Sequence, residues 1–590
     1  MTDAVLGVDR SVTGRRWRPR LKDEALALAL SQRLDLPDVV ARVLAARGVD
    51  LDGVEAFLNP TLRSALPDPL SLTDMEGAAT RLADAIESQQ TIGVFGDYDV
   101  DGATSSALLS RYVRAIGGAI AVHIPDRIKE GYGPNAPALV SLRDRGAGVV
   151  VTVDCGIAAH EPLRLAAEAG IDVVVLDHHM AEADLPRAHA VVNPNRLDDS
   201  SGLGQLAAVG VTFMTVVALN RVLRQRGWFK DRPEPDLMAW LDLVALGTVC
   251  DAVPLSGLNR AFVAQGLKVL SRRGNTGLNA LAEIAGISET PGAYHAGFVL
   301  GPRINAGGRV GQPDLGARLL STEDADEAVG IAMRLDDFNT ERRSLEKAAL
   351  NDALDQAEAA MASDPSLVVV ASEDWHPGVI GIVASRLVDR FHRPFVVVSV
   401  SDGVGKGSGR SVAGVDLGAA VTAARRAGLL INGGGHPMAA GITVGADKLG
   451  DVTAFLQSHL ADAGANVAAV PDMGIDGALS AAAATPELVK TVERVGPFGV
   501  GNAEPRFVVA DATVVRADVV GTDHVRCILG GGDGARLKAI AFRAAGSPLG
   551  QTLMNAGGAP LHVAGHLRAD RWQGREGAQL VVEDVAPARS

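Results

Sequence analysis

Cysteine is scarce in this chain of 590 residues, and the three present, Cys155, Cys250 and Cys527, are far apart and without CxxC spacing. That excludes a disulfide framework and a zinc knuckle. Basic charge is short as well: 56 Lys and Arg face 70 Asp and Glu, a net −14 at pH 7. A protein that coats nucleic acid non-specifically needs a broadly basic surface, so that class is excluded. A nuclease is not, because cations held in a cluster of acids reverse the local field. Long apolar runs are missing too. The most apolar stretch, Leu206 to Leu219, falls short of the ~20 residues that span a bilayer and reads as a buried helix. Met1 to Arg20 is polar and basic without an apolar core, unlike a secretory signal. A cytoplasmic, multidomain, globular protein with no membrane association is the expectation, with 47% hydrophobic and 21% charged residues.

What is present is a series of acids at the ends of apolar runs. Residues 1–80 carry helical periodicity, end in Pro-rich turns near Pro67 and Pro69, and show no recognisable chemistry. From about residue 90, short β-rich runs at 91–96, 119–125, 149–154, 173–177 and 190–194 alternate with helix-length segments. This is the pattern of βαβ units and a parallel sheet covered on both faces. Ligands of such sheets bind at the carboxyl ends of the strands. Asp97, Asp99 and Asp101 follow the first run, Asp126 and Arg127 the second, Asp154 the third, and Asp177-His178-His179 the fourth. An apolar helical stretch over 204–253 then presents Asp251, and Gly301 to Val310 offers Arg303, Asn305 and Arg309 in a Gly-rich loop.

Residues 323–361 predict one long connecting helix. A second α/β unit follows at 366–462, with strand-like runs at 367–371 and 395–399 and Gly-rich turns at 405–411 and 433–441. Between Pro377 and Leu430 seven Lys or Arg stand against three Asp, a local reversal of the overall charge. From about 471 the pattern is all-β, with runs at 506–510, 512–520, 525–529, 536–542, 561–568 and 578–583, which suggests a small barrel of the oligonucleotide-binding type.

If the first strand continues through its acids, Asp97, Asp99 and Asp101 project together, and like charges that close stay ionised only beside cations. An EF-hand would need Glu at the twelfth position, where Leu108 stands. A solvated turn is the other reading of the run taken alone. The recurrence of Asp154, Asp177 and Asp251 at apolar ends favours metal, and mixed carboxylate and imidazole ligands suit Mn²⁺ well and Mg²⁺ tolerably. His178 and His179 would leave a strand end in different directions, one towards metal and the other towards substrate. The turn Gly433-Gly-Gly-His436 reads either as a flexible connection or as a close approach of backbone to phosphate, with His436 donating. Ser408 and Arg410 invite the same comparison, since guanidinium forks fit phosphate.

Phe95-Gly-Asp-Tyr-Asp-Val-Asp-Gly102, Ile124-Pro-Asp-Arg127, Val153-Asp-Cys-Gly156, Asp177-His-His179, Gly247-Thr-Val-Cys-Asp251 and Gly433-Gly-Gly-His436 resemble, in order, the motifs of the DHH phosphoesterases. With Gly301-Pro-Arg-Ile-Asn305, Ser408-Gly-Arg-Ser411 and Gly496-Pro-Phe-Gly-Val-Gly-Asn502, nearly the whole chain resembles the single-strand-specific exonuclease branch of that family. Ala503 stands where a Pro is more usual.

The resemblance implies an α/β fold: an N-terminal helical segment (1–80), a parallel-sheet DHH domain (81–255), a connecting helical region (256–362), a DHH-associated domain (363–465) and an OB-type β-barrel (470–590). It implies 5′→3′ hydrolysis of single-stranded DNA to mononucleotides with two Mn²⁺ or Mg²⁺ ions, in DNA repair and recombination. It also implies a monomer, with a single-strand-binding protein and a helicase as possible partners. Carried over by residue, Asp99 would hold one ion and Asp101 the other, Asp154 would bridge them, and His178 and Asp251 would complete the second, with Asp97 in support. His179 and His436 would face the scissile phosphate. Arg127, Ser408 and Arg410 would grip the 5′ phosphate, Tyr132 would stack on a base, and Arg303 and Arg309 would contact the backbone. Two alternatives compete. A small-substrate DHH enzyme would lack the barrel, and a non-catalytic DNA-binding scaffold would have lost acids that are all present here.

Overall fold

The computed structural model describes residues 4–461, 470–532, 534–570 and 577–588. The chain forms two compact units, one of Pro67–Asp251 with Gly266–Val467, the other of Met1–Leu66, Ala252–Gln265 and Ala468–Ser590.

The first unit starts with a five-stranded, all-parallel sheet in the order Ile120–His123, Thr91–Gly96, Ala147–Val153, Asp172–Leu176, Ala190–Val192. Its strands are β-branched runs buried on both faces, as a parallel sheet requires. The first strand in sequence lies second in the sheet, so the chain reverses its winding between Thr91–Gly96 and Ala147–Val153. That switch point is where a crevice opens beyond the strand ends. Asp97 and Asp154 follow those two neighbouring strands.

Helix Ala325–Met361 has 37 residues, begins as expected, and is capped by Asp324, whose carboxylate accepts the N–H groups of Asp326 and Glu327. At ~1.5 Å per residue it is about 55 Å long. Ala349, Ala353 and Ala357 repeat every fourth residue along it. Their small side chains join Val368, Val383 and Phe395 in the core of the second sheet.

That sheet runs Asn432–His436, Ala439–Gly445, Val404–Arg410, Phe395–Ser401, Val368–Ser372, with only the last pair parallel. Here the structure corrects the sequence reading: the segments at 405–411 and 433–441, expected as Gly-rich turns, are largely paired strands. Steric room explains it. A Cβ on Gly405, Gly407 or Gly409 would come within 2.8, 2.6 or 2.6 Å of Val398, Ile442 or Leu417. Glycine on the buried face lets the sheet close against its core, and alternation places Lys406, Ser408 and Arg410 together on the opposite face. The Gly-rich loop expected at Gly301–Val310 is a helix.

In the second unit, strand Arg16–Pro19 pairs in parallel with Asp472–Ile475, a non-local pairing that no local pattern announces. Trp17 is fully buried and donates from Nε1 to Asp584 Oδ2 at 2.9 Å. Helices Glu24–Leu34 and Asp38–Ala46 pack Leu30, Val40 and Leu44 around Val495. In the C-terminal sheet the expected runs 506–510 and 512–520 are one strand, Arg506–Val520, with a bulge between Val509 and Ala512 and Asp511 at φ 48°. It pairs with Pro560–Asp570 from Arg506 to Thr513, across the bulge, and with His524–Gly530 from Thr513 onward. Further ladders connect His524–Gly530 to Arg536–Ala541, then to Gly577–Pro587 and Pro560–Asp570.

Asp476 ties this unit together. Its fully buried carboxylate accepts from Arg20 at 2.6 Å, Arg47 at 2.8 Å and the Arg506 backbone N–H at 2.9 Å. Removing one partner of such a cluster strands buried charge, at a cost of about 3–5 kcal/mol. Asp476→Ala is therefore expected to speed hydrogen exchange by at least a hundredfold in Arg16–Pro19 and Asp472–Ile475, measured by mass spectrometry. Unchanged protection there would show that Asp476 does not hold the strands together.

Candidate functional site

The carboxyl ends of the parallel strands gather the acids and histidines picked out in the sequence. Asp97 follows the first strand, and Asp99 is the N-cap of helix Val100–Ala115, with Oδ1 accepting the Gly102 N–H at 3.0 Å. Asp101 is buried in the first turn and accepts from Ala208 N at 2.6 Å and Val209 N at 2.9 Å, at the start of helix Ala208–Gln225. Helix N-termini favour carboxylates there. The tight turn needs Gly102, because a Cβ would meet the Asp97 carbonyl at 2.4 Å. Asp154 follows its strand in a left-handed conformation, φ 61°, unusual for a buried non-glycine residue. Asp251 caps helix Leu241–Cys250.

Ligand atoms of Asp97, Asp99 and Asp154 lie within 4.8 Å of one another, and so do those of Asp101, His178 and Asp251. Asp154 also groups with His178 and His179. His178 Nε2 is 3.3 Å from Asp154 Oδ1, 3.6 Å from Asp251 Oδ2 and 4.0 Å from Asp101 Oδ2. Four atoms at this convergence, Asp97 Oδ1, Asp154 Oδ1, His178 Nε2 and Asp251 Oδ2, are buried without a hydrogen-bond partner. Buried polar atoms are almost always partnered, so four together mark a place built for divalent cations. The donors, carboxylate oxygen with one imidazole nitrogen, fit Mn²⁺ or Mg²⁺.

Electrostatics agrees. Burial, then the Asp99 charge, pushes the carboxyl of Asp97 up to about 8 and that of Asp251 up to about 7. Burial and neighbouring carboxylates drive Asp101 and Asp154 well above the usual range. Burial and the His179 charge hold His178 down at about 4, so its imidazole is neutral at pH 7 and keeps a lone pair. Positive charge placed among these groups is the one change that would let them all ionise.

Asp177 belongs to no ligand group. It is fully buried and accepts from Ile157 N at 3.0 Å, His178 N at 2.8 Å and His179 Nδ1 at 2.7 Å. Burial lowers His179 towards the neutral form, but the bond to Asp177 and its charge outweigh this and raise it overall. Asp177 thus orients His179, whose side chain is 38% exposed. Asn193 and Asn195, which the sequence reading passed over, brace the same turn: their amides donate to His179 O at 2.9 Å and His178 O at 2.5 Å. Asn193-Pro-Asn195 after the last parallel strand was the signal available.

The second sheet contributes a basic wall. A cavity of about 550 Å³ is lined by Arg127, Tyr132, Lys406, Ser408, Arg410 and Gly435, among others. An adjoining one of about 260 Å³ shares Arg127 and Arg410 and adds Arg309 and Arg386, with Asp389 as its lining acid. Burial, then the Arg127 charge, lowers both Arg410 and Arg309, the latter to about 10. Cations that depress one another in this way call for an anion. Tyr132 is 56% exposed, with its hydroxyl 3.3 Å from Asp154 O.

Two candidates fall outside this arrangement. Arg303, expected on the nucleic-acid backbone, lies on the helix with its guanidinium bonded to Asp336 at 2.8 Å and to Val299 O at 2.8 Å, and its side chain is 16% exposed. His436 is exposed on its hairpin and is not among the residues lining either cavity.

Three family models match segments of the chain. The DHH family, N-terminal domain, matches residues 91–248, the DHHA1 domain 364–462 and the RecJ OB domain 475–584. The chain is 34% identical to the single-stranded-DNA-specific exonuclease RecJ of Salmonella typhimurium, over 97% of this chain and 99% of that protein. It is 33% identical to its namesake from Bacillus subtilis, over 97% of this chain and 71% of that protein. Among solved structures, RecJ of Thermus thermophilus in complex with Mn²⁺ superposes with a TM-score of 0.78 at 29% identity, covering 97% of this chain and 79% of the other.

Asp154 belongs to two of the three ligand groups, and asparagine tolerates its left-handed backbone. Asp154→Asn is expected to weaken Mn²⁺ binding about 10–100-fold in calorimetry, whereas Asp126→Asn, whose carboxylate serves the backbone N–H groups of Ile128 and Lys129, leaves it unchanged. Equal Mn²⁺ affinity in Asp154→Asn and the unaltered protein would remove Asp154 from the site.

Proposed function

Because the chain belongs to the RecJ family of single-stranded-DNA-specific exonucleases, we propose that it shortens single-stranded DNA from the 5′ end, releasing 5′-mononucleotides by metal-assisted phosphodiester hydrolysis. The observation that carries this reading is the convergence of four unpartnered buried ligand atoms beside a wall of arginines.

Asp97, Asp99 and Asp154 would hold one cation, and Asp101, His178 and Asp251 the other, with Asp154 between them. When bound, such a pair supplies an activated water and offsets the charge that develops on the attacking and leaving oxygens. The chain's own residues do the rest. Asp177 holds His179 so that its second ring nitrogen is free to donate to a non-bridging phosphate oxygen. Arg127, Ser408 and Arg410 form the grip for the terminal phosphate, since Ser408 Oγ and Arg410 Nη1 lie 3.1 Å apart on one strand face. Tyr132, exposed at the rim, offers a ring to the terminal base at ~1–3 kcal/mol of stacking. Arg309 is the better candidate for the backbone of the next nucleotide, and Arg303 becomes a brace for its helix through Asp336. His436 is assigned to the hairpin bordering the cleft, without contact to the ligand groups. Duplex would be excluded by the width of the cleft between the two sheets.

The RecJ OB domain match favours long strands over dinucleotides as substrates. We place the enzyme in the cytoplasm as a monomer, acting in repair and recombination on strands exposed by a helicase and covered by a single-strand-binding protein. No helix among the described residues is long and apolar enough to cross a membrane.

Digestion of end-labelled single strands with Mn²⁺ tests polarity and strandedness together. Labelled mononucleotide from the 5′ end, activity that survives a 3′ block, and sparing of blunt duplex are the expected outcome. A 5′-phosphate should accelerate cleavage, and Arg410→Ala should abolish that advantage. Release from the 3′ end, or an undiminished phosphate preference in Arg410→Ala, would contradict the assignment.

A further inference from the structure

Two large aromatic side chains stand exposed on one helical turn. Tyr294 is 59% and Phe298 73% exposed, and their rings stack on each other with 5.4 Å between centroids and 22° between planes. The turn is itself unusual, because His295–Leu300 is π-helical and leads directly into helix Gly301–Val310. Wide turns of this kind recur at functional sites. Single exposed apolar residues are ordinary on a protein surface, but a pair held ring against ring calls for an account.

Glycines set where the pair lies. A Cβ on Gly297 would come within 3.2 Å of Val249, one on Gly301 within 2.5 Å of Cys250 Sγ, and one on Gly308 within 2.6 Å of Tyr98 O. Val249 and Cys250 lead into Asp251, and Tyr98 stands between Asp97 and Asp99. Cys250 Sγ also lies 3.4 Å from Ala296 O. The helix therefore runs along the ligand groups, against the segment of Asp251 near its start and against that of Asp99 near its end. Positions three and four apart share a side of a helix. On the side flanking the glycines stand Tyr294, Phe298, Pro302, Asn305 and Arg309, and Arg309 lines the basic cavity. Phe298 and Arg309 are separated by about 16 Å along the axis.

This continuity with the cleft identifies the occupant. A strand gripped by its 5′ end at Arg127, Ser408 and Arg410 has to leave the ligand groups past one of their flanks, and the helix supplies a flank that ends in two exposed rings. The rings offer no charge to a phosphate, and Glu289, bonded to His295 at 3.1 Å beside them, makes phosphate a poor partner there. A base fits, since any base can stack on an aromatic face.

We propose that Tyr294 and Phe298 form a stacking platform for an unpaired base of the substrate strand, on the 3′ side of the cleaved bond. The inference rests on the strand-shortening reading above and adds a second source of strand discrimination to it. Bases of a duplex are already paired and stacked, so the platform accepts only a single strand.

The test uses a hydrolysis-resistant phosphorothioate strand, with Mn²⁺ present and 2-aminopurine placed at successive positions from the 5′ end, since stacking on an aromatic ring quenches the fluorescence of that base. With the unaltered protein, quenching should peak at one internal position, and Phe298→Ala should abolish it there. The same substitution should weaken binding of a long strand about fivefold or more and raise KM rather than lower kcat. A dinucleotide, too short to reach the rings, should bind both proteins equally. Phe298→Trp should restore the long strand, whereas Phe298→Leu, which keeps the apolar bulk and loses the ring, should not. Unchanged affinity in a Tyr294→Ala, Phe298→Ala double variant, full restoration by Phe298→Leu, or an equal loss on the dinucleotide would overturn the platform and leave cleavage from the 5′ end standing. An unaltered protein that binds no strand would overturn the strand-shortening reading as well.

Discussion

The first unit is arranged around an unfavourable interaction, the mutual repulsion of Asp97, Asp99, Asp101, Asp154 and Asp251, of which Asp97, Asp101 and Asp154 are buried. Burial alone raises each protonation equilibrium that shifts, and the neighbours raise it further. A protein does not keep such a cluster without something to neutralise it. The helix N-termini at Val100 and Ala208 offset part of the charge, the neutral His178 adds none, and the remainder is left for cations. Because the sheet reverses its winding between the strands that end in Asp97 and Asp154, the ligands arrive from different segments of the chain. No short loop could supply them all.

The second sheet answers with the opposite sign. Its alternating glycines look like a turn in sequence and act as a steric device: they let one face of Val404–Arg410 close on Val398, Ile442 and Leu417, and so present Lys406, Ser408 and Arg410 in a row on the other. A net-acidic chain thereby builds a local basic wall without a basic surface. That reconciles a charge of −14 with a strand of nucleic acid as substrate, since arginines line the cavities beside the acids.

Much of this was legible beforehand. The parallel strands, the long helix and the acids at strand ends follow from period and position, because hydrophobic alternation and strand-end polarity are local signals. What escaped was non-local. The pairing of Arg16–Pro19 with Asp472–Ile475 joins segments from the first and last quarters of the chain, and no window of sequence contains both. The bulge at Asp511 merged two expected strands into one. Asp177 was read as part of a histidine motif, but its bonds to the Ile157 and His178 N–H groups and to the His179 ring show it to be a positioning residue. Arg303 was read as a contact to the nucleic-acid backbone from a Gly-rich loop, and Asp336, 33 residues later, holds it. For Arg303 and for Arg16–Pro19 the deciding partner lies on another element.

The central claim is that the acids form a paired cation site. The most direct measurement is anomalous scattering at the manganese edge from crystals of the protein grown with Mn²⁺. Two peaks about 3.5–4 Å apart, with Asp154 between them, Asp97 and Asp99 on one side and Asp101, His178 and Asp251 on the other, are the predicted result. A single ion, or manganese bound elsewhere with these carboxyls left protonated, would contradict the account.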